Sequence, residues 1–149
     1  MYKLFLILAV LLYTHSSAST CIGTSTITER FNNADVILSG KVIKIDTTSF
    51  SDYTISDVTH FWQKVSLLVF KYYKGELQKD TVIVESGIGK GDCGATFKLN
   101  KTYIVFFYIH PERKDVHPER YVTTICEKNR IYNNKDNRTL LKLSRKYNQ

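Results

Sequence analysis

Val36-Ile37-Leu38-Ser39-Gly40-Lys41-Val42-Ile43-Lys44-Ile45 is the stretch on which the fold turns. It is rich in β-branched residues and carries apolar side chains at adjacent positions near its start. A strand with that pattern must be covered on both faces, as in a closed barrel or a sheet under helices. Gly40 in its middle marks a bulge or a sharp coil of the strand. Just upstream, Thr26-Ile27-Thr28-Glu29 has the form of a capping box and predicts a short helix from Ile27 to Asn33.

Downstream, residues 46–57 are rich in Ser, Thr and Asp and are expected to form a long exposed loop. Phe61 to Tyr73 reads as a second strand, with Val65, Leu67 and Val69 on one face and Leu68, Phe70 and Tyr72 on the other. It stops at the turn signal Lys74-Gly75. A third strand is predicted over Thr81–Glu85, followed by a flexible loop from Ser86 to Asp92 that holds three of the seven glycines. Thr102 to Ile109 and Tyr121 to Cys126 supply the fourth and fifth strands. The repeated tetrapeptide between them, His110-Pro111-Glu112-Arg113 and His117-Pro118-Glu119-Arg120, contains both prolines and suits a rigid hairpin tip. From Asn129 onward the chain is polar and basic, with Leu140, Leu141 and Leu143 suiting a C-terminal helix packed loosely on the rest. Five strands, no long crossover helix and one helix at each end predict an all-β fold. The expected architecture is a five-stranded Greek-key barrel of the OB-fold type.

Residues 1–20 divide into the zones of a secretory signal: basic Lys3, an apolar run from Leu4 to Tyr13, and a small polar tail ending Ala18-Ser19-Thr20. That run is well short of the about 20 apolar residues that a spanning helix needs. The expected product is therefore a secreted, extracellular domain over residues 21–149, with no membrane span. The chain carries a formal net charge of +7. Outside the cell this favours glycosaminoglycans or acidic matrix proteins over nucleic acid. Cys21, Cys93 and Cys126 are the three cysteines, enough for one bridge with one thiol left over. Two sequons, Asn100-Lys101-Thr102 and Asn137-Arg138-Thr139, fit a eukaryotic secretory route.

The residues give little support to an enzyme. His60, His110 and His117 follow no His-Glu-x-x-His spacing, and no Cys-x-x-Cys is present, so no intrinsic metal site or cofactor is expected. No spacing sets a thiol beside a base for nucleophilic catalysis. Gly87-Ile88-Gly89-Lys90-Gly91 falls short of a phosphate-binding loop.

Several local motifs occur together in one order. A cysteine precedes a short helix that ends in Phe31-Asn32-Asn33-Ala34-Asp35-Val36-Ile37. Ser39-Gly40-Lys41-Val42, Tyr72-Tyr73-Lys74-Gly75, Cys93-Gly94, Asn100-Lys101-Thr102-Tyr103 and Thr123-Thr124-Ile125-Cys126 follow. In this order, over nearly all of residues 21–149, the chain resembles the N-terminal inhibitory domain of the tissue inhibitors of metalloproteinases and the related netrin-like modules. The resemblance implies a secreted inhibitor whose first residue chelates the catalytic zinc of a target metalloproteinase. The α-amino nitrogen and carbonyl oxygen of Cys21 would bind that zinc, which keeps open coordination positions. Ile22 would enter the specificity pocket. Gly91, Asp92 and Cys93 would complete the inhibitory edge, with Cys93 bridged to Cys21. The alternative is a non-inhibitory binding module of the same fold for matrix or glycosaminoglycan.

The chain departs from the family pattern where the family begins Cys-x-Cys, since Cys21-Ile22-Gly23 leaves Cys126 without its expected partner. In a second register Ser19 replaces the first family cysteine, and Cys21 bridges to Cys126. The leader peptidase sets which nitrogen is terminal. Cutting after Ala18 leaves the Cys21 nitrogen in an amide that cannot chelate, whereas cutting after Thr20 exposes it. N-terminal sequencing of the secreted product is expected to read Ser19 or Cys21 as its first residue. Retention of residues 1–18 would overturn the leader assignment.

Overall fold

A computed structural model of the chain describes residues 25–51, 59–75, 77–89, 93–110 and 120–148. In chain order these form helix α1 (Ile27–Asn33), strands β1 (Val36–Ser51), β2 (Thr59–Lys74), β3 (Thr81–Gly87), β4 (Thr102–His110) and β5 (Arg120–Val122). A 3-10 turn (Ile125–Glu127), strand β6 (Arg130–Ile131) and helix α2 (Asn134–Tyr147) complete them. The described chain is thus mostly β-sheet, with six strands and two helices.

Antiparallel pairing joins β1 to β2, β2 to β3, β4 to β5 and β4 to β6, while β3 and β5 run parallel. β1 also pairs with β4, over Val36–Lys41, so the ladders lead from β1 through β2, β3, β5 and β4 back to β1. Three register shifts between β1 and β2 pass over Tyr73, Phe70 and Ile43. Each such bulge turns the following side chains to the opposite face. Hence Val42 is buried and Ile45 packs on the same core three residues later, while Ile43 between them is 44% exposed.

The adjacent apolar residues at the start of β1 serve two cores. Val36, Leu38 and Val42 of β1 join Val65, Leu67, Val82, Val84, Tyr103, Val105 and Phe107 in the larger one. Ile37 points the other way, into a second core with Ile104, Phe106, Tyr73, Phe31 of α1 and Leu140 of α2. Both helices therefore cover the outer side of β1 and β4. The capping box forms as its sequence predicts: Glu29 N donates to Thr26 Oγ1 at 3.2 Å and Thr26 N donates to Glu29 Oε2 at 2.6 Å. Lys74 Nζ donates to the carbonyls of Phe31 and Asn32, both at 2.9 Å, which anchors the end of α1 to β2. The same ammonium lies 5.6 Å and 5.2 Å from the ring centres of Phe31 and Tyr147, so it also ties α1 to α2.

Several expectations change in the folded chain. The Ser/Thr/Asp-rich stretch is strand as far as Ser51, because residues 44–51 pair with residues 59–66 of β2. Backbone pairing outweighs composition there. Ser86 and Gly87, expected in a loop, finish β3 and are buried. The fifth strand stops at Val122, and Ile125-Cys126-Glu127 is a 3-10 turn, with Thr124 Oγ1 accepting from Cys126 N. Arg130 and Ile131, expected in a polar tail, form β6 because Tyr103 and Ile104 of β4 supply their partners. Helix α2 is not loosely packed: Leu140 is fully buried, and Phe31 and Tyr147 meet edge to face with ring centres 5.9 Å apart. The repeated His-Pro-Glu-Arg falls on the β4–β5 connection, where His110 and Arg120 are paired positions and residues 111–119 lie outside the described segments. Leu140→Ala is expected to cost about 2–5 kcal/mol of stability, measured by denaturant titration. A change within error would show that α2 contributes nothing to the core.

Candidate functional site

The residues carrying the functional expectations divide between described and undescribed chain. Cys21, Ile22, Gly91 and Asp92 lie outside the described residues. Cys93 and Cys126 lie within them, and the fold brings their two segments together: Ile125 N donates to the Cys93 carbonyl at 2.7 Å. Both cysteines are half-buried.

The Cys93 corner is built by close backbone packing. Cys93 has φ 57°, a left-handed conformation uncommon for a side chain of this kind. Next to it, a Cβ on Gly94 would run into the backbone of Gly87, so only glycine lets the corner lie against the end of β3. Two buried polar side chains hold this approach. Ala95 N donates to Ser86 Oγ at 2.8 Å, and the Gln63 amide donates to the carbonyls of Gly87 and Ala95, each at 2.6 Å. Sequence reading did not single out Gln63. Its signal was a polar residue on the inward face of β2, in step with Val65 and Leu67, where an unpaired amide would be costly.

The Cys126 turn is held from the opposite side. Thr123 N donates to the Glu85 carbonyl at 3.0 Å, and Thr123 Oγ1 donates to the Phe106 carbonyl at 2.7 Å. The Asn129 amide bonds Thr123 Oγ1 at 2.7 Å and accepts from Phe106 N at 2.9 Å. Arg30 of α1 then joins turn and helix. It is 3% exposed, its Nη1 donates to the carbonyls of Glu127 and Lys128 at 3.3 Å and 3.2 Å, and its guanidinium carbon lies 5.0 Å from the Phe106 ring centre. Its Nε reaches the Thr26 carbonyl at 3.4 Å, which sets the start of α1 beside the Cys126 turn. Nothing in the spacing of Arg30 foretold burial of a charge; the acceptors come from almost a hundred residues away.

Glu127 completes the cluster. It is 8% exposed, and its Oε2 accepts from the Tyr108 hydroxyl at 3.0 Å. Burial pushes the Glu127 carboxyl above the usual carboxylate range, against the opposing pull of the Tyr108 bond and the Arg30 charge. Burial and the neighbouring Glu127 push the Tyr108 hydroxyl up to about 12, so it remains a donor at neutral pH. Burial lowers the Arg30 pKa, but a guanidinium stays charged throughout the working range.

Among the described residues, no three His, Cys, Asp or Glu side chains gather as a metal site would require. No described helix is long and apolar enough to cross a membrane. The arrangement is a stiff edge at which the entry to α1, the Cys93 corner and the Cys126 turn meet. No protein-family model matches the chain, and no curated protein matches it.

The pKa direction at Glu127 fixes a pH slope. A carboxyl whose folded pKa is raised favours the fold while protonated, and that contribution is lost as pH rises through the folded value. Stability is expected to decline with rising pH from about 4.3, the ordinary glutamate value. Glu127→Gln should flatten that part of the profile. Equal slopes for both proteins in denaturant titrations between about pH 4 and 8 would rule the cluster out as the cause.

Proposed function

We propose that this chain is a secreted inhibitor of an extracellular zinc metalloproteinase, built on a closed five-stranded barrel of the OB type. The return of the strand pairings to β1 supports the barrel, and the order β1-β2-β3-β5-β4 with parallel β3 and β5 suits that type. The convergence of the α1 entry, the Cys93 corner and the Cys126 turn on one edge carries the inhibitory reading. A chain terminus delivered to that edge presents its α-amino nitrogen and first carbonyl oxygen together. Those two atoms form a five-membered chelate with a zinc ion and take the place of its attacking water. Ile22 and the Gly91-Asp92-Cys93 segment would supply the flanking contacts. An edge already fixed by Gln63, Arg30 and a bridge loses little further freedom when the target docks.

We take the register in which Cys21 bridges to Cys126, because Arg30 ties the Cys126 turn to the entry of α1. Ser19 is then the natural first residue, with Ser16 and Ala18 in the small-residue positions of the leader-peptidase site. Chelation uses only main-chain atoms, so serine serves as well as cysteine, and Thr20 then takes the flanking place that Ile22 holds beside a terminal Cys21. With cleavage after Thr20, Cys21 itself holds the zinc.

The test is a non-reducing peptide map joined to inhibition assays of the secreted protein against zinc metalloproteinases. The expected map contains a Cys21–Cys126 peptide, and one alanine added ahead of the mature first residue should abolish inhibition. A Cys93-containing bridge would overturn the pairing. Undiminished inhibition by the extended protein would overturn terminal chelation. If no metalloproteinase is inhibited and the protein binds a sulfated resin with steep salt dependence, the matrix-binding module replaces the inhibitor.

A further inference from the structure

The two sequons lie in very different places. Asn100 is the third residue of a tight turn from Lys98 to Lys101, closed by Lys101 N donating to the Lys98 carbonyl at 3.3 Å. Its φ is 63°, which asparagine adopts more readily than most residues, and its side chain is exposed. The turn is docked by its backbone, not by that side chain: Asn100 N donates to the Val42 carbonyl and Val42 N to the Lys101 carbonyl, both at 2.9 Å. A large group on the Asn100 amide therefore displaces nothing in the fold.

Asn137 sits one turn into α2, with its backbone N–H donating to the Asn133 carbonyl at 3.1 Å. Its Oδ1 accepts from the buried Tyr73 hydroxyl at 2.7 Å. Its side chain lines a cleft of about 470 Å³ with Ser39, Phe70, Lys71, Tyr73 and Tyr132. The hydroxyl two residues on, that of Thr139, is turned back to the Lys135 carbonyl at 3.1 Å. Moving Asn137 outward would take one acceptor from Tyr73 and disturb the face on which Leu140 is buried.

From this contrast we infer that Asn100 is a site of N-linked glycosylation and Asn137 is not. The inference rests on the secretory reading above. The transferred group is an oligosaccharide carried on a polyisoprenoid diphosphate. A bond forms between Asn100 Nδ2 and the anomeric carbon, that carbon's bond to the diphosphate breaks, and the amide proton passes to a base of the host transferase. No oxidation or reduction occurs. Transfer takes place while the chain is still unfolded, so the native structure decides which modified chain folds and leaves the cell. A glycan at Asn100 projects into solvent from a turn, whereas one at Asn137 competes with the packing of α2.

The experiment expresses the full chain in eukaryotic cells twice, once with its own leader alone and once with an established signal peptide ahead of Met1. Protein from the medium is treated with peptide N-glycosidase and digested, and the peptides are weighed. The expected result is conversion of Asn100, and not Asn137, to aspartate by the glycosidase. Asn137→Gln should leave the glycan in place and Asn100→Gln should remove it. Thr102→Ala, which keeps the turn asparagine, should remove it too. Modification at Asn137, or secreted protein unmodified at Asn100, overturns the inference. Modification at Asn100 only behind the added signal peptide would instead uphold it and overturn the native leader.

Discussion

Strand β1 is paired on both sides over Ile37–Lys41, to β2 on one and β4 on the other. The rest of the architecture depends on that double pairing, because it is what brings the ladders back to their starting strand. Gly40 lies within this segment, where an added Cβ would lie 2.8 Å from the Leu68 carbonyl. The register shifts beside this segment leave Phe70 and Tyr73 as extra residues on β2, so it is β2 that bends around β1 there. Simple alternation along β1 sends Val36, Leu38 and Val42 to one core and Ile37 to the other, and the extra residue Ile43 returns Ile45 to the first.

The second core follows from the first. Pairing β1 with β4 aligns Ile37, Ile104 and Phe106 as an apolar outer strip, and such a strip must be covered. Helices from the two ends of the described chain cover it together. Lys74 sits where β2, α1 and α2 meet, bonded to two carbonyls that end α1 and placed over two aromatic rings. One side chain thus satisfies helix-end acceptors that would otherwise need water.

The candidate edge inherits its stiffness from these constraints. Gln63 and Ser86 hold the Cys93 corner from within the larger core, and Thr123 with Asn129 holds the Cys126 turn against β4. Arg30 then fixes the entry of α1 to that turn with bonds to main-chain carbonyls. Buried charges of this kind add little net stability, since desolvation offsets much of what the bonds contribute. Their effect is positional. The cluster holds the backbone of this edge in one place.

By itself the sequence determined what depends on local order. The capping box set α1, the β-branched runs set the central parts of β1, β2, β3 and β4, and Lys74-Gly75 set a turn. The two-faced pattern of Val36-Ile37-Leu38 correctly required cover on both sides. What it could not determine depends on partners distant in the chain. Residues 46–51 look like a loop until β2 supplies hydrogen-bonding partners, and Thr123 to Cys126 look like strand until the Cys93 corner and Asn129 claim them. Arg30, Gln63 and Glu127 are ordinary surface residues by composition, and only the tertiary structure gives each the buried acceptors or donors that permit its burial. The physical reason is the same in each case: apolar periodicity is written along the chain, whereas the cost of burying a polar group is offset only where another segment arrives to bond it.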